Sequence, residues 1–494
     1  MTTEQTWSIW ERLQELAATQ PDTPAVIGTD LQLSFDKLFR LSRSYAARLK
    51  AEGIGPGDIV SLASGDTIAA VSSVFALSCI GAVFVPYSQD FLTNGVVSSM
   101  ITVFLRTPEA PSVPGRREVV IDNSWSPRFA KDDGSKTHFA ATGAPNSVTW
   151  LLPSSGTTGR TKHIEVTRDL LQRRLGRIAE DYGVSKTRML QLFHPSTRAF
   201  MIRAIAALTS GNSLVEPGPA DFIREAGVTL ICGSPQQVRL WIADDRISPK
   251  IPMLQVSGAK LPAVLVTNLL DSFDVIEDVY GSNETTKSHV NVYSRLSQEV
   301  TVFGKTGSGI QIVNPDGSTC QIGTAGYIRV KTDCMAQSYL GDTGASATHF
   351  RDGWFYPGDL GFLDVSNVLT VVGRESDLVN IEGDKVLLSE VEECLNAVQG
   401  VTASSCFEIT DRDGRSRIAA CITVFGEPNP VAAARVACVN RFGLVAAPSS
   451  ILIVPALERT ADGVIRRGAA RDLYDRIASA EAGTNSHLYE FGDL

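Results

Sequence analysis

The chain has 494 residues, 43% hydrophobic and 20% charged, so it is long enough for more than one packed core and too apolar for a disordered polymer. With 54 acidic against 45 basic side chains its formal charge is −9, which excludes the basic surface of an ordinary nucleic-acid binder but not a local cationic pocket for a phosphate-bearing ligand. The eight cysteines stand singly with no C-x-x-C pair, a pattern of reduced thiols in a cytoplasmic protein rather than a disulfide framework or zinc site.

The N-terminal stretch "MTTEQTWSIWERLQELAATQPDTPAVI" is amphipathic and acidic, unlike a signal peptide with its basic and then apolar regions. Thr67–Tyr87, "TIAAVSSVFALSCIGAVFVPY", is free of charge over about the length of a membrane span. Gly81 and Pro86 interrupt it and "AVFVPY" is rich in β-formers, so the reading is a buried helix followed by a buried strand, with no membrane span. Uniformly apolar strand runs recur at 58–64, 82–87, 188–193, 213–217, 229–234 and 253–258, with helical stretches such as "PAVLVTNLLDSF" (262–273) between them. This order predicts an α/β fold: a large N-terminal domain of βαβ units, its parallel sheets covered by helices and its ligands at the carboxyl ends of strands.

Residues 107–148 are rich in Pro, Gly, Asp and Ser and read as loops. Beyond Gly373 come a helix at 389–398, strands "SSCFEIT" and "SRIAACITVF" around a "DRDGR" turn, a helix near 429–442, the strand "ILIVPAL" and a last helix. They form a small α+β unit of about 120 residues. The expected boundaries are 1–374 for the large domain and 375–494 for the small mobile one, and the final "EAGTNSHLYEFGDL" is expected to fray.

Four motifs carry chemistry. In "LLPSSGTTGRTKHIEV" (151–166), glycines let backbone N–H groups approach an anion, Ser154, Ser155, Thr157 and Thr158 can donate to phosphate oxygens, and Lys162 can neutralise charge. The spacing is not that of the ordinary P-loop. "YGSNETTKS" (280–288) sets Glu284 beside hydroxyls, as a Mg²⁺ ligand facing a triphosphate would be. "GWFYPGDLGFLD" (353–364) puts Asp359 in a glycine-flanked turn where a carboxylate can hold both ribose hydroxyls, and "GRESDLVNIEGDKVLLSEVE" (373–392) supplies Arg374 for phosphate or ribose.

In this order and spacing the four motifs resemble the adenylate-forming superfamily of acyl-CoA synthetases, aryl-acid ligases, luciferases and adenylation domains, from about residue 10 to 472. The resemblance implies attack of a carboxylate on ATP, then transfer of the acyl group to the thiol of coenzyme A or of a carrier protein's phosphopantetheine. It implies catalytic Thr158, Lys162, Glu284 and His194, with Mg²⁺ on Glu284 and Thr158. The implied nucleotide site is Ser154, Ser155, Gly156, Thr157, Thr158, Gly159, Lys162, Gly258, Gly281, Ser282, Asn283, Glu284, Thr285, Asp359 and Arg374, and the implied hinge is Ser376, where relatives carry Asp or Lys.

For the acid, "LQLFHPSTRAF" (190–200) resembles the segment that opens the acyl pocket, with His194 at its aromatic position. Pro195 replaces the aspartate that pairs with an α-ammonium group, which disfavours α-amino acids and leaves small aryl or aliphatic acids. "VSGAKLP" (256–262) resembles the loop lining pocket and adenine through Gly258 and Ala259, but is one residue short and carries Lys260; Asn283 replaces the usual threonine. The family's last motif holds a lysine bridging carboxylate and α-phosphate, and in "ERTADGVIRR" that position is Val464. Three readings follow: a ligase slowed or rescued by Lys260, Arg466 or Arg467, a relative that joins an acid to an amine, and a non-catalytic nucleotide binder.

Overall fold

A strand apolar on both faces is buried in the middle of a sheet covered on both sides, and that is where the predicted strands lie. The structure, a computed structural model, describes residues 6–87, 99–125, 144–155, 161–180, 182, 186–242, 246–297, 299–305, 309–411, 413–426, 429–459, 465–480 and 487–491. It divides into two packed units. The first comprises Met1–Ile310, Val330–Phe355 and Ser366–Val368, and the second Gln311–Arg329, Tyr356–Val365 and Leu369–Leu494.

One sheet of the first unit runs, edge to edge, Glu299–Lys305, Thr286–Leu296, Phe273–Ser282, Ile251–Ser257, Leu230–Gly233, Arg188–Gln191, Ser213–Val215, Pro24–Ile27 and Gln32–Ser34. From Phe273–Ser282 to Pro24–Ile27 neighbouring strands are parallel, and the outer strands at both edges are antiparallel. The second sheet runs Glu118–Val120, Val103–Arg106, Ile59–Ala63, Val83–Pro86, Val148–Ser155 and Thr161–Thr167, parallel except for its last pair. All six predicted strand runs are strands.

The charge-free stretch is the helix Thr67–Ile80, buried at every position but Ser78, and then the strand Val83–Pro86. Asp66 caps its start by accepting from the Ala69 N–H, and Gly81 ends it at a φ of 75° that an L side chain rarely adopts. Among the described residues no helix is long and apolar enough to cross a membrane. The helix Arg198–Thr209, capped by Thr197, is buried from Phe200 onwards and packs in the largest apolar core, with the helix Thr67–Ile80.

In the second unit the strands Asp359–Leu363 and Leu369–Arg374 pair antiparallel, and a hairpin joins Leu378–Ile381 to Asp384–Leu387. Helices Leu388–Asn396, Val431–Ala446 and Arg467–Ala480 accompany a sheet of Val401–Thr410, Ser416–Val424, Ser450–Ile453 and Leu488–Glu490. Gly443, at φ 82°, breaks the middle helix.

Two local expectations are corrected. Within 107–148, Glu118–Val120 is a strand, because Phe104–Arg106 offers it a parallel edge. Near the C-terminus, Leu488–Glu490 pairs with Ser450–Leu452 instead of fraying. Leu488 and Tyr489 point to opposite faces and pack on different cores, so three residues suffice once an edge is available. The cysteines are free, all buried except half-buried Cys320, and burial pushes Cys79, Cys421 and Cys438 up to about 12 and Cys334 to about 11. Such thiols are packing residues, with little thiolate at neutral pH.

Candidate nucleotide and acyl site

The hairpin Val148–Ser155 and Thr161–Thr167 places Ser154 opposite Lys162 and Ser155 opposite Thr161. Gly156, Thr157, Thr158 and Gly159, the centre of the predicted phosphate loop, lie outside the described residues. Its flanks converge on Glu284, which is only 4% exposed. Ser154 Oγ donates to Glu284 Oε1 at 2.7 Å, and Tyr339 Oη donates to the same oxygen at 2.8 Å. The Lys162 ammonium stands 4.9 Å from the centre of the Tyr339 ring, within cation–π reach. Tyr339 therefore joins the lysine to the glutamate. No motif signalled it, because its partners lie far away in sequence and "SYLGD" has the look of an ordinary turn.

The turn carrying Glu284 is held from several sides. A Cβ at Gly281 would fall 2.0 Å from the Thr286 carbonyl oxygen, so only glycine fits there, and Thr286 itself sits at φ 57°. Ser282 Oγ accepts from the Glu284 N–H at 3.2 Å and lies 3.2 Å from Thr285 Oγ1. The Asn283 amide donates to the Pro153 carbonyl, tying this turn to the predicted phosphate hairpin. Beneath it Arg174, 1% exposed, donates to the carbonyls of Glu284 at 2.8 Å and Cys334 at 2.9 Å. Burial pulls Arg174 down to about 9, so it stays cationic at neutral pH. A further cation, Arg198, donates to the Ser282 carbonyl at 3.2 Å.

Glu284 is thus a buried carboxylate that accepts from two hydroxyls, in a turn whose backbone carbonyls are held by two arginines. Among the described residues no three His, Cys, Asp or Glu side chains cluster as a metal cage. Magnesium commonly uses one or two carboxylates and completes its octahedron with water and phosphate oxygens, so a single carboxylate beside the predicted phosphate hairpin fits it.

His194 is exposed at the end of the segment following the strand Arg188–Gln191, with Nδ1 accepting from the Ser196 N–H at 3.3 Å. Partial desolvation holds its imidazole below the ordinary pKa. Pro195 is half-buried beside it, and Ser196 ties the segment to Ser64 through hydrogen bonds of 2.7 and 2.9 Å. Gly258, Ala259 and Lys260 are exposed, and Gly258 needs its freedom for a φ of 92° rather than for space.

In the second unit Asp359 and Arg374 are paired residues of adjacent strands, with Arg374 Nε 3.4 Å from Asp359 Oδ1. Ser376 lies in the short turn Glu375–Asp377. Val464 lies outside the described residues, but Arg459 and Ile465 bridge the ends of that segment. Arg466 pairs with Glu458 at 3.3 Å. Arg467 binds Glu392 at 2.9 and 3.1 Å and forms an ion pair with Asp377. Burial raises the Glu392 carboxyl even beside Arg467, so the pair is held at a desolvation cost.

A doubly wound α/β unit with a hydroxyl-rich hairpin beside a buried glutamate, followed by a small α+β unit, defines the class of adenylate-forming enzymes. The family described as AMP-binding enzyme matches residues 13–340, and the chain belongs to it. Phenyloxazoline synthase MbtB of Mycobacterium sp. (strain MCS) is 26% identical over 96% of this chain, which spans 42% of that protein. A 3-[(3aS,4S,7aS)-7a-methyl-1,5-dioxo-octahydro-1H-inden-4-yl]propanoyl:CoA ligase of Rhodococcus jostii (strain RHA1) is 25% identical over 95% of this chain and 99% of its own length. In fold the chain is similar to o-succinylbenzoate CoA synthetase (MenE) from Bacillus subtilis in complex with its acyl-adenylate intermediate, with a TM-score of 0.78, 19% identity and 99% of both chains covered.

Proposed function

We propose that the protein activates a carboxylic acid with ATP and passes the acyl group to a thiol, of coenzyme A or of a carrier protein's phosphopantetheine arm. In the first step a carboxylate oxygen bonds to the α-phosphorus and pyrophosphate leaves; in the second the thiol sulfur bonds to the acyl carbon and AMP leaves. The observation that carries this reading is the convergence of Ser154 and Lys162 on Glu284, the serine by a hydrogen bond and the lysine through the Tyr339 ring. Ser154, Ser155 and the Gly156–Gly159 loop would cradle phosphates and Lys162 offset their charge. Mg²⁺, held by Glu284 and Thr158, would supply further charge neutralisation. Asp359 and Arg374 would take the ribose and a phosphate, and the chain near Ser376 would serve as hinge between half-reactions. His194, Pro195, Gly258 and Ala259 would border an acid that is not an α-amino acid.

Losing the charge at Val464 would slow adenylation on the order of 10²–10³-fold, as loss of one transition-state donor does. The ion pairs of Arg467 make it a poor substitute, because recruiting it would strand Glu392 and Asp377. The test is pyrophosphate exchange across a panel of carboxylic acids, with coenzyme A and a phosphopantetheinylated carrier protein as acceptors. Acid-dependent exchange is expected, rising on the order of 10²-fold in Val464→Lys. Exchange with no acid, in wild type and variant alike, overturns the reading.

A further inference from the structure

The two segments expected to border the acyl group, 190–200 and the strand end before Gly258, meet at Arg203. This residue lies on the helix Arg198–Thr209 and is 9% exposed. Its Nε donates to Gln255 Oε1 at 3.3 Å, its Nη1 to the Ala199 carbonyl at 3.0 Å and its Nη2 to Ser257 Oγ at 2.9 Å. Phe193 lies against the guanidinium, 5.2 Å from ring centre to Cζ. Ser257 directly precedes Gly258, and Phe193 directly precedes His194. A guanidinium offers five N–H donors, and three have acceptors here.

All three acceptors are neutral, and among the described residues no carboxylate lies within ion-pair distance of Arg203. Glu277, fully buried, reaches it only through Gln255 Nε2 at 3.0 Å and is already paired with Lys305. A buried cation without an anion is costly, and of the other buried arginines described Arg168 and Arg417 lie against carboxylates while Arg174 has two backbone oxygens.

We infer that the acid activated here carries a second carboxylate, distal to the one that reacts, and that Arg203 pairs with it. The inference rests on the acid-activation reading, and it explains why a guanidinium with two N–H groups that meet no acceptor among the described residues sits where the two acyl-bordering segments join. A distal carboxylate supplies the missing negative charge and accepts both remaining donors in the side-by-side geometry that arginine favours. A matched monoacid leaves the guanidinium buried and uncompensated, so it is rejected.

The full-length protein is titrated calorimetrically with glutarate against pentanoate and isophthalate against benzoate, and the same four acids are run in ATP–pyrophosphate exchange. Wild type is expected to favour at least one dicarboxylate over its monoacid by about tenfold or more in affinity. Arg203→Gln should erase that ratio and Arg203→Lys retain part of it, both with unchanged ATP affinity. No preference for either dicarboxylate in wild type, or a preference that survives Arg203→Gln, overturns the inference. The wild-type comparison decides alone if the variants do not fold. Dicarboxylate binding without exchange upholds the role of Arg203 and refutes adenylation; exchange with monoacids alone does the reverse.

Discussion

Replacing Tyr339 with phenylalanine removes one oxygen atom and tests whether Glu284 is held for a ligand or merely packed. Glu284 Oε1 accepts from two hydroxyls, Ser154 at 2.7 Å and Tyr339 at 2.8 Å, and the carboxylate is 4% exposed, so water cannot readily replace the lost donor. A hydrogen bond to a charged acceptor contributes about 1.5–3 kcal/mol, and Tyr339→Phe should lower the unfolding free energy by that order. Burial and the neighbouring Glu284 hold the tyrosine hydroxyl well above its ordinary pKa, so it remains a donor throughout the range of the assay. The phenyl ring still faces the Lys162 ammonium, so only Tyr339→Leu should also lose the cation–π contact, worth about 0.5–1 kcal/mol. Urea unfolding followed by tryptophan fluorescence reads the stability, and calorimetric titration with ATP and Mg²⁺ reads the site. A carboxylate free to rotate should bind magnesium-ATP roughly tenfold more weakly, equivalent to about 1.4 kcal/mol. Wild-type affinity in Tyr339→Phe would refute the role in positioning Glu284, whatever the change in stability.

Further outcomes follow from the same physics. Arg467→Met strands Glu392 and Asp377 and should destabilise the second unit by about 2–4 kcal/mol, read as faster amide exchange in the helix Leu388–Asn396; unchanged exchange would mean that the ion pairs contribute nothing. Burial pushes the Asp278 carboxyl up to about 7, above its unfolded value. The proton bound in the folded state therefore stabilises the protein below about pH 4, and that contribution fades as pH rises through about 7. Asp278→Asn should gain stability relative to wild type between pH 5 and 8, by on the order of 2–4 kcal/mol, and parallel pH profiles of the two proteins would contradict this.

Much of this protein is legible in one dimension. Runs such as "DIVSLAS" and "AVFVPY" suit strands of a parallel sheet covered on both faces, and Gly81 marks the end of the buried helix between them. Short strands are less legible. Leu488–Glu490 has no periodicity to read and becomes a strand only because Ser450–Leu452 presents an open edge. In the site, motif spacing brought forward Ser154, Lys162 and Glu284 individually, because hydroxyl, glycine and charge in a short loop already imply an anion.

What joins them depends on partners distant in sequence. Tyr339 is 55 residues from Glu284, Ser154 is 130 residues away and Arg174 110, and each contact exists only because the fold closes those separations. Arg203 and Arg467 make the same point from the opposite side. In sequence each is one basic residue in a helix or at its start, and only tertiary packing decides that Arg467 meets two carboxylates while Arg203 meets none among the described residues. Local patterning follows from the chemistry of neighbours along the chain. Charge compensation depends on burial and on which groups arrive together in space, so it belongs to the folded molecule alone.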